Sequence, residues 1–222
     1  MSKFLHRHSE GWQCARDTAF NRMVSDVQAN KHKTRRPKNT NADLIDETLS
    51  EEKFRQYEAA AARDELTGLY NAHFFTQKLA KELKRAKRYK RPFSLMIISM
   101  DRLAQLQKLY GNLLTCQILQ QQAKTIRASV REVDTVFRIS PERFAILFPE
   151  TYSSKAVIVG DRICERTRSK SINSGQNTVV VTVSVGIASF PTHARQEKEL
   201  LATAMQFSRD AQKAGGNKVC SS

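Results

Sequence analysis

The sequence predicts an α/β fold in which a central mixed β-sheet carries helices on its faces. Three observations support this prediction. From residue 64 onward, segments of helical periodicity alternate with short apolar segments. The run FSLMIISM at 93–100 is almost wholly apolar, as expected for a strand buried on both faces. Two short apolar runs at 135–139 and 143–148 flank Ser-Pro-Glu, which predicts a β-hairpin.

Residues 1–29 precede this domain and are predicted to contain an amphipathic helix. Apolar residues recur at helical spacing between Trp12 and Val27. The apolar face of such a helix must be covered, either by its own globular domain or by a partner protein. Residues 30–47 are predicted to form a basic, flexible linker, because the stretch 30–41 is polar and charged and contains no apolar side chain.

Residues 48–63 are predicted to form a helix that leads directly into the globular domain. Thr48 and Glu51 have the spacing of a capping box, which satisfies backbone N–H groups at a helix N-terminus. The consecutive alanines at 59–62 favour the helical conformation. Such a helix would be able to pair with its copy in a homodimer.

Residues 64–222 are assigned to one globular domain. A basic helix precedes the buried strand, and a second helix separates that strand from the hairpin. The β-branched run at 178–190 predicts one continuous strand, and the glycines at 215–216 are expected to stop the last helix. The predicted helices are 73–90, 113–131, 153–170 and 197–215, and the predicted strands are 93–100, 135–139, 143–148 and 178–190.

The composition limits the classes of function. The 222 residues include 37 Lys and Arg against 22 Asp and Glu, and the net charge of +15 favours anionic partners. No apolar run approaches the roughly 20 residues of a membrane-spanning helix, and the N-terminus lacks the apolar stretch of a signal peptide. The four cysteines are scattered, which fits reduced thiols rather than a disulfide framework or a zinc site. We therefore expect a soluble cytoplasmic protein.

Four motifs of the domain resemble those of GGDEF domains, in the same order and at similar spacing. They are DELTGLYN at 64–71, the hairpin at 138–148, VTVSVGIASFP at 181–191 and GGNKV at 215–219. The resemblance spans residues 64–219 and implies the nucleotidyl-cyclase-like fold of that family. Members with an intact site are diguanylate cyclases, which condense two GTP molecules into the bacterial second messenger cyclic di-GMP.

The signature that gives the family its name is altered in this sequence. The family's Arg-x-Gly-Gly-Asp/Glu-Glu-Phe corresponds to RISPERF at 138–144. Ser140 and Pro141 replace two glycines that would let the backbone approach a nucleotide, and proline also fixes φ and removes an N–H donor. Arg143 places a cation at the position of the second acid, while the first acid is retained as Glu142.

Other positions that the resemblance assigns to metal and GTP are also changed. Ser99 stands at the metal-binding Asp of the family, and a hydroxyl is a weaker Mg²⁺ ligand than a carboxylate. Asp101 retains the carboxylate two residues later. We therefore expect no catalytic residue, no metal ion or other cofactor, and no diguanylate cyclase activity. The family's guanine-binding and phosphate-binding positions are occupied by Gln107, Cys116, Gln212 and Gly216.

The positions that bind the product in this family are retained. Arg131 and Asp134 match the Arg-x-x-Asp motif of the family's inhibitory site, at which an intercalated dimer of cyclic di-GMP binds. An arginine fork binds guanine O6 and N7 or a phosphate, and a carboxylate accepts the guanine N–H donors. Arg162 matches a further ligand-binding arginine, with Arg166 one turn beyond it, and Arg85 matches one that a neighbouring subunit supplies. Without a ligand, Arg131 and Asp134 would form a surface ion pair, and Arg85 would belong to a solvated basic face.

These observations favour a cyclic di-GMP receptor that signals through protein contacts of its N-terminal extension or its GGDEF surface, with a homodimer as one form. Two alternatives remain open. One is a weak residual cyclase that uses Glu142 and Asp101. The other is a scaffold protein that binds no nucleotide and whose basic tail contacts an acidic protein or RNA, although nucleic-acid binding is not the expected function.

Overall fold

The structure, a computed structural model, describes residues 62–174 and 177–221. The predicted N-terminal helix, the linker and residues 48–61 of the predicted lead-in helix lie outside these ranges. Arg63 forms an isolated antiparallel bridge with Tyr70, so the lead-in helix does not include this residue. The helices are α1 (Ala72–Tyr89), α2 (Leu103–Arg127), α3 (Ser153–Arg168) and α4 (Glu197–Lys213). The strands are β1 (Phe93–Met100), β2 (Thr135–Ser140), β3 (Arg143–Pro149), β4 (Ser171–Ser174), β5 (Asn177–Val180), β6 (Val183–Phe190) and β7 (Val219–Cys220).

Five strands form a mixed sheet in the order β2–β3–β1–β6–β7. β1 lies at the centre and runs antiparallel to both β3 and β6, whereas β6 and β7 are parallel. All eight residues of β1 are buried, because helices cover both faces of the sheet. The predicted α/β fold class and the buried strand at 93–100 are thereby confirmed.

The two edges of this sheet are short or partly covered. β2 forms one edge, and the segment that precedes α1 lies against it. Phe137 of β2 bridges to Tyr70 in parallel, and the N–H of Arg138 donates to the Tyr70 carbonyl at 2.7 Å. β7 forms the opposite edge and has only two residues.

The side chains of β1 alternate between two apolar layers. Met96 and Ile98 belong to the layer that α2 and α3 complete, whereas Leu95 and Ile97 belong to the layer that α1 and α4 complete. Each large apolar side chain buried in this way contributes about 1.5–3 kcal/mol to the free energy of unfolding. Ile126, in the last turn of α2, is buried in the same layer as Met96 and Ile98, and the candidate site begins just after this turn.

The β-branched run at 178–190 is divided between two sheets, so the prediction of one continuous strand is wrong. β5 pairs with β4 in a separate two-stranded sheet, and the strand of the main sheet begins at Val183. Val180 is exposed, while Val181 and Val183 are buried. The sequence does not mark the break because β-branched residues continue across it.

Helix α2 begins at Leu103, earlier than the predicted start at residue 113, and is interrupted at Gly111. The φ of Gly111 is 79°, a left-handed conformation that glycine adopts without strain. Leu109 and Leu113, on either side of it, are 75% and 76% exposed. The apolar periodicity that predicts a helix therefore starts only after the interruption.

Strand β6 touches the backbone of α4 at Gly186. A methyl group at this position would lie 2.2 Å from the carbonyl oxygen of Ala204 and 2.2 Å from the backbone nitrogen of Ser208. These distances are far below van der Waals contact, and backbone atoms of a packed helix have little freedom to move away. Close approach of strand and helix therefore requires glycine here.

None of the helices in the described part of the chain has the length and apolar character that a bilayer crossing requires.

Cys116, Cys164 and Cys220 are free thiols. Burial, assisted by the charges of Asp161 and Asp101, raises the pKa of Cys164 to about 12. This thiol therefore stays protonated at neutral pH.

Candidate ligand-binding site

The segment Arg131–Asp134 forms a tight turn between the end of α2 and the start of β2. The N–H of Arg131 donates to the Asp134 carboxylate at 2.9 Å, and the N–H of Asp134 donates to the Arg131 carbonyl at 3.2 Å. Burial raises the pKa of Asp134, while the hydrogen bond and the charge of Arg131 act in the opposite direction. The Arg131 guanidinium is exposed and makes no hydrogen bond or salt bridge with the described residues. The pair is thus a capped turn with an unpaired arginine side chain rather than a surface salt bridge.

This turn borders a cleft of about 410 Å³ between the end of α2 and α3, named here the α2–α3 cleft. Arg131, Asp134 and Arg162 line it together with Lys155 and Arg166. The fold therefore brings three of the four predicted binding residues to one cleft. Four cations face a single carboxylate there, an arrangement that favours an anionic ligand.

Two arginines of α3 hold the end of α2. Arg162 donates from Nη2 to the carbonyl of Ser129, and Arg166 donates from Nη1 to the carbonyl of Ala128 at 2.9 Å. Carbonyl groups at the end of a helix lack helical partners, so these guanidinium groups act as caps. Each guanidinium has five N–H donors, so donors remain for a ligand.

Arg85 lies outside this cleft. It projects from α1, where its guanidinium is 3.7 Å from the carboxylates of both Glu82 and Glu150. A single chain therefore does not bring Arg85 to the other three predicted residues.

The retained arginine of the altered signature has a structural role. Nη1 of Arg138 donates to both carboxylate oxygens of Asp64 at 3.1 Å, and Nη2 donates to the Pro141 carbonyl at 3.1 Å. Thr67 also donates to Asp64, at 2.6 Å. Arg138 thus connects the DELTG loop at the start of the domain to the hairpin tip, a role that does not depend on catalysis.

The hairpin tip presents a paired acid. Glu142 lies 3.5 Å from the guanidinium of Arg143, which itself pairs with Ser140 after a register shift in β2. Pro141 has no N–H donor to offer a phosphate. The tip therefore lacks one of the two backbone donors that two glycines would provide, and its acid faces a cation.

The position of the family's metal-binding Asp is internal in this structure. Ser99 is 3% exposed, and its hydroxyl lies 2.9 Å from that of Ser208 on α4. Within the described residues, no group of three or more His, Cys, Asp or Glu side chains is placed to hold a metal ion. This donor set does not fit a divalent cation.

Asp101 joins the end of β1 to β6 and to the C-terminal segment. Its carboxylate accepts hydrogen bonds from Thr182 at 2.8 Å, from Ser184 at 2.7 Å and from the N–H of Asn217 at 3.1 Å. Both carboxylate oxygens are thus engaged within the protein. A cation at Asp101 would have to displace bonds that hold three segments together.

The side chains at the positions that match the family's guanine-binding residues differ in chemistry from those of the family. Gln107 donates to the side chain of Asn112 at 2.7 Å, and Cys116 is a partly buried thiol. Lys213 lies between the two phosphate-matching positions in sequence, and it is exposed in the last turn of α4. A thiol and an amide do not reproduce the acceptors of a carboxylate.

Sequence reasoning did not identify two contributors to this region. Lys155 lies two helical turns before Arg162 on α3. Residues at this spacing share one face of a helix, so the sequence does indicate that Lys155 lies beside Arg162. The contact between Asp64 and Arg138 joins residues 74 positions apart. A single sequence has no signal for such a pair.

The mixed sheet with helices on both faces, and a hairpin beside an arginine-lined cleft, define an α/β domain of the nucleotidyl-cyclase-like class. The family model described as the GGDEF domain of diguanylate cyclases matches residues 61–218. The chain belongs to the GGDEF family.

Two known proteins show the extent of the similarity in sequence. YhcK of Bacillus subtilis, an uncharacterized protein, is 29% identical over 185 residues, which cover 82% of this chain and 49% of YhcK. The diguanylate cyclase TpbB of Pseudomonas aeruginosa is 30% identical over 142 residues, 64% of this chain and 33% of TpbB. This chain thus spans about half the length of YhcK and about a third of TpbB.

Solved structures agree with the fold. The GGDEF domain of TpbB superposes with a TM-score of 0.67 at 27% identity, covering 71% of this chain and 92% of that domain. The GGDEF domain of DgcB from Caulobacter crescentus, solved in complex with cyclic di-GMP, has a TM-score of 0.68 at 21% identity and covers 72% and 93%. The likeness to DgcB concerns the fold alone.

Proposed function

We propose that this chain is a cyclic di-GMP receptor that binds its ligand in the α2–α3 cleft and has no diguanylate cyclase activity. The observation that carries the proposal is the unpaired Arg131 guanidinium at a cleft whose other charged groups are Asp134 and the cations of α3. An exposed arginine fork beside a fixed carboxylate offers both donors and acceptors to a guanine edge.

The two sides of the cleft have different parts in this proposal. Arg131 binds guanine O6 and N7 or a phosphate, and Asp134 accepts the guanine N–H groups. Arg162 and Arg166 are held by their bonds to Ser129 and Ala128, so they lose little conformational freedom when a ligand binds. Their remaining donors would contact phosphate oxygens. The ligand form implied by the resemblance is an intercalated dimer of cyclic di-GMP.

The absence of cyclase activity is supported by several independent positions. Phosphoryl transfer between nucleotides requires a divalent cation and close contact with the phosphates. Ser99 and Asp101 are both engaged within the protein, and Glu142 is paired with a cation. Restoring one of these positions would leave the others unsuited to GTP.

The output of the receptor is proposed to be a protein contact. Cyclic di-GMP would change what a partner protein meets, at the N-terminal extension or on the GGDEF surface, or would join two copies of the chain through Arg85. A ligand shifts such an equilibrium only by the difference in its affinity for the two states.

Calorimetric titration of the full chain with cyclic di-GMP tests this function. We expect a dissociation constant of about 1 μM or lower, and no cyclic di-GMP formed from GTP and Mg²⁺ in a parallel assay. Absence of binding heat and of any thermal shift would refute the receptor, and product formation from GTP would refute the loss of activity.

Restoring the glycines of the signature is expected to leave the chain inactive as a cyclase. The double variant Ser140→Gly/Pro141→Gly frees the backbone of the hairpin tip but leaves Ser99 and the engaged Asp101 unchanged. Chromatographic detection of cyclic di-GMP after incubation with GTP and Mg²⁺ checks the expectation. Robust synthesis by this variant would show that the tip alone had been limiting.

A further inference from the structure

A second cleft, of about 490 Å³, lies on the other side of the Arg131–Asp134 turn and is named here the α1–α2 cleft. Arg63 at the start of the domain, Lys78 of α1 and Arg127 at the end of α2 line it. Arg131 and Asp134 line this cleft as well as the α2–α3 cleft. The turn is therefore a wall shared by two clefts.

The charges of the α1–α2 cleft are not balanced among the residues that line it. Four cations, Arg63, Lys78, Arg127 and Arg131, face the carboxylates of Glu132 and Asp134. Lys78 is paired with Glu82 at 2.9 Å, and Arg63 lies 4.5 Å above the ring of Tyr70 and donates to the Gly68 carbonyl. Arg127 and Arg131 make no hydrogen bond or salt bridge with the described residues.

An ordinary structural role does not account for Arg127. Basic residues in the last turn of a helix commonly bind its terminal carbonyls. Here the carbonyls of Ala128 and Ser129 are already bonded by Arg166 and Arg162 from the opposite side. Arg127 is thus a guanidinium at a concave surface whose usual helix-capping role is filled by others.

Part of the lining of this cleft is apolar. Tyr70 and Phe74, whose ring centroids are 4.5 Å apart, line it together with Val130 and Val136. Apolar surface next to unpaired cations fits a ligand that has both planar rings and phosphates. A nucleotide has this combination of groups, whereas inorganic phosphate offers nothing to the apolar part of the lining.

We propose that the ligand of the α2–α3 cleft continues around the shared turn, so that a phosphate or guanine of the same bound nucleotide contacts Arg127 in the α1–α2 cleft. This inference rests on the proposed receptor function and adds a second anchor within the same chain. A dimer of dinucleotides is larger than the drug-sized ligands that fill clefts of a few hundred Å³. Two clefts that share Arg131 offer the extended surface that such a ligand needs.

The second anchor would bring the ligand to a residue that lies close to the N-terminal extension in sequence. Arg63 lines the α1–α2 cleft and comes directly after the extension along the chain. Ligand bound there would contact the start of the domain. No residue this early in the chain lines the α2–α3 cleft.

Calorimetric titration of cyclic di-GMP into the full-length Arg127→Gln variant tests this proposal. Its matched control is Lys124→Gln, which removes the same charge from the preceding turn of α2 at an exposed position that does not line the cleft. We expect Arg127→Gln to raise the dissociation constant about tenfold, the usual effect of losing one charge-assisted hydrogen bond. Lys124→Gln is expected to stay within about twofold of wild type, since Lys124 lines neither cleft and its exposed charge is screened by salt.

The outcomes separate this inference from the receptor function. Binding by the wild-type chain with equal affinities for the two variants would refute the second anchor and leave the receptor intact. A wild-type chain that binds no cyclic di-GMP would refute the receptor and the second anchor together. Unchanged thermal denaturation of Arg127→Gln checks that the domain remains folded, as expected for an exposed side chain without partners.

Discussion

Cyclic di-GMP binding is expected to fall by about a hundredfold or more when Arg131 is replaced with alanine. A hydrogen bond to a charged group contributes about 1.5–3 kcal/mol, and the Arg131 fork would make two such bonds to guanine or phosphate. The folded state should be unaffected, because the guanidinium has no hydrogen-bond or salt-bridge partner in the described part of the chain. The Asp134 carboxylate bonds to the backbone N–H of residue 131, which alanine retains. Calorimetry measures the affinity, and thermal denaturation verifies the fold.

Two further substitutions test whether the loss of affinity comes from the guanidinium fork of Arg131 and not from its charge alone. Arg131→Lys keeps the charge but not the fork, so we expect affinity between those of wild type and Arg131→Ala. Arg168→Ala removes an exposed arginine of α3 that does not line the cleft and should leave affinity unchanged. If Arg131→Ala bound cyclic di-GMP as tightly as wild type, the ligand would have to lie elsewhere.

Gly186→Ala is expected to lower the free energy of unfolding by about 3 kcal/mol or more. The added methyl group would lie 2.2 Å from two backbone atoms of α4. Relief of the contact requires α4 to move away from β6, since neither atom belongs to a flexible side chain. Overpacking usually costs about 1–3 kcal/mol, and values at the top of that range are expected where backbone must shift. Urea denaturation followed by circular dichroism measures the change.

Gly160→Ala is the matched control for this substitution. At Gly160 of α3, an added methyl group would meet the side-chain carbon Cγ2 of Val219 at 2.9 Å and the Cε of Met96 at 3.4 Å. Side-chain tips yield more easily than backbone, and alanine favours helix over glycine by up to about 1 kcal/mol. We therefore expect a clearly smaller loss than at Gly186. Equal stabilities of the two variants would contradict the argument from backbone contact.

The sequence predicts a strand or helix correctly where an apolar run has the length of that element and is buried along all of it. The run at 93–100 is apolar throughout because it is buried on both faces, and the structure places β1 at those residues. The run at 178–190 failed as a prediction because β-branched residues continue through the connection between β5 and β6. The predicted start of α2 was wrong because Leu109 and Leu113, on either side of the interruption at Gly111, are exposed and break the apolar periodicity.

The candidate site is less accessible to sequence reasoning, since its geometry depends on contacts between distant segments. The Arg-x-x-Asp spacing places Arg131 and Asp134 on one turn by local geometry alone. Their convergence with Arg162 depends on how α2 and α3 pack, and was predicted only through the resemblance to a family. Arg127 carried no signal, because a basic residue in the last turn of a helix is ordinary. The binding roles of all four predicted residues stay predictions that titration would test.

The edges of the main sheet restrict how copies of this protein associate. An open strand edge is a template for pairing with another chain, and it promotes both fibrous aggregation and β-augmented dimers. One edge here is a two-residue strand, and the other is met by the segment around Tyr70. Self-association by extension of the sheet is therefore disfavoured on both sides. A dimer of this domain would be expected to use helical or cleft surfaces.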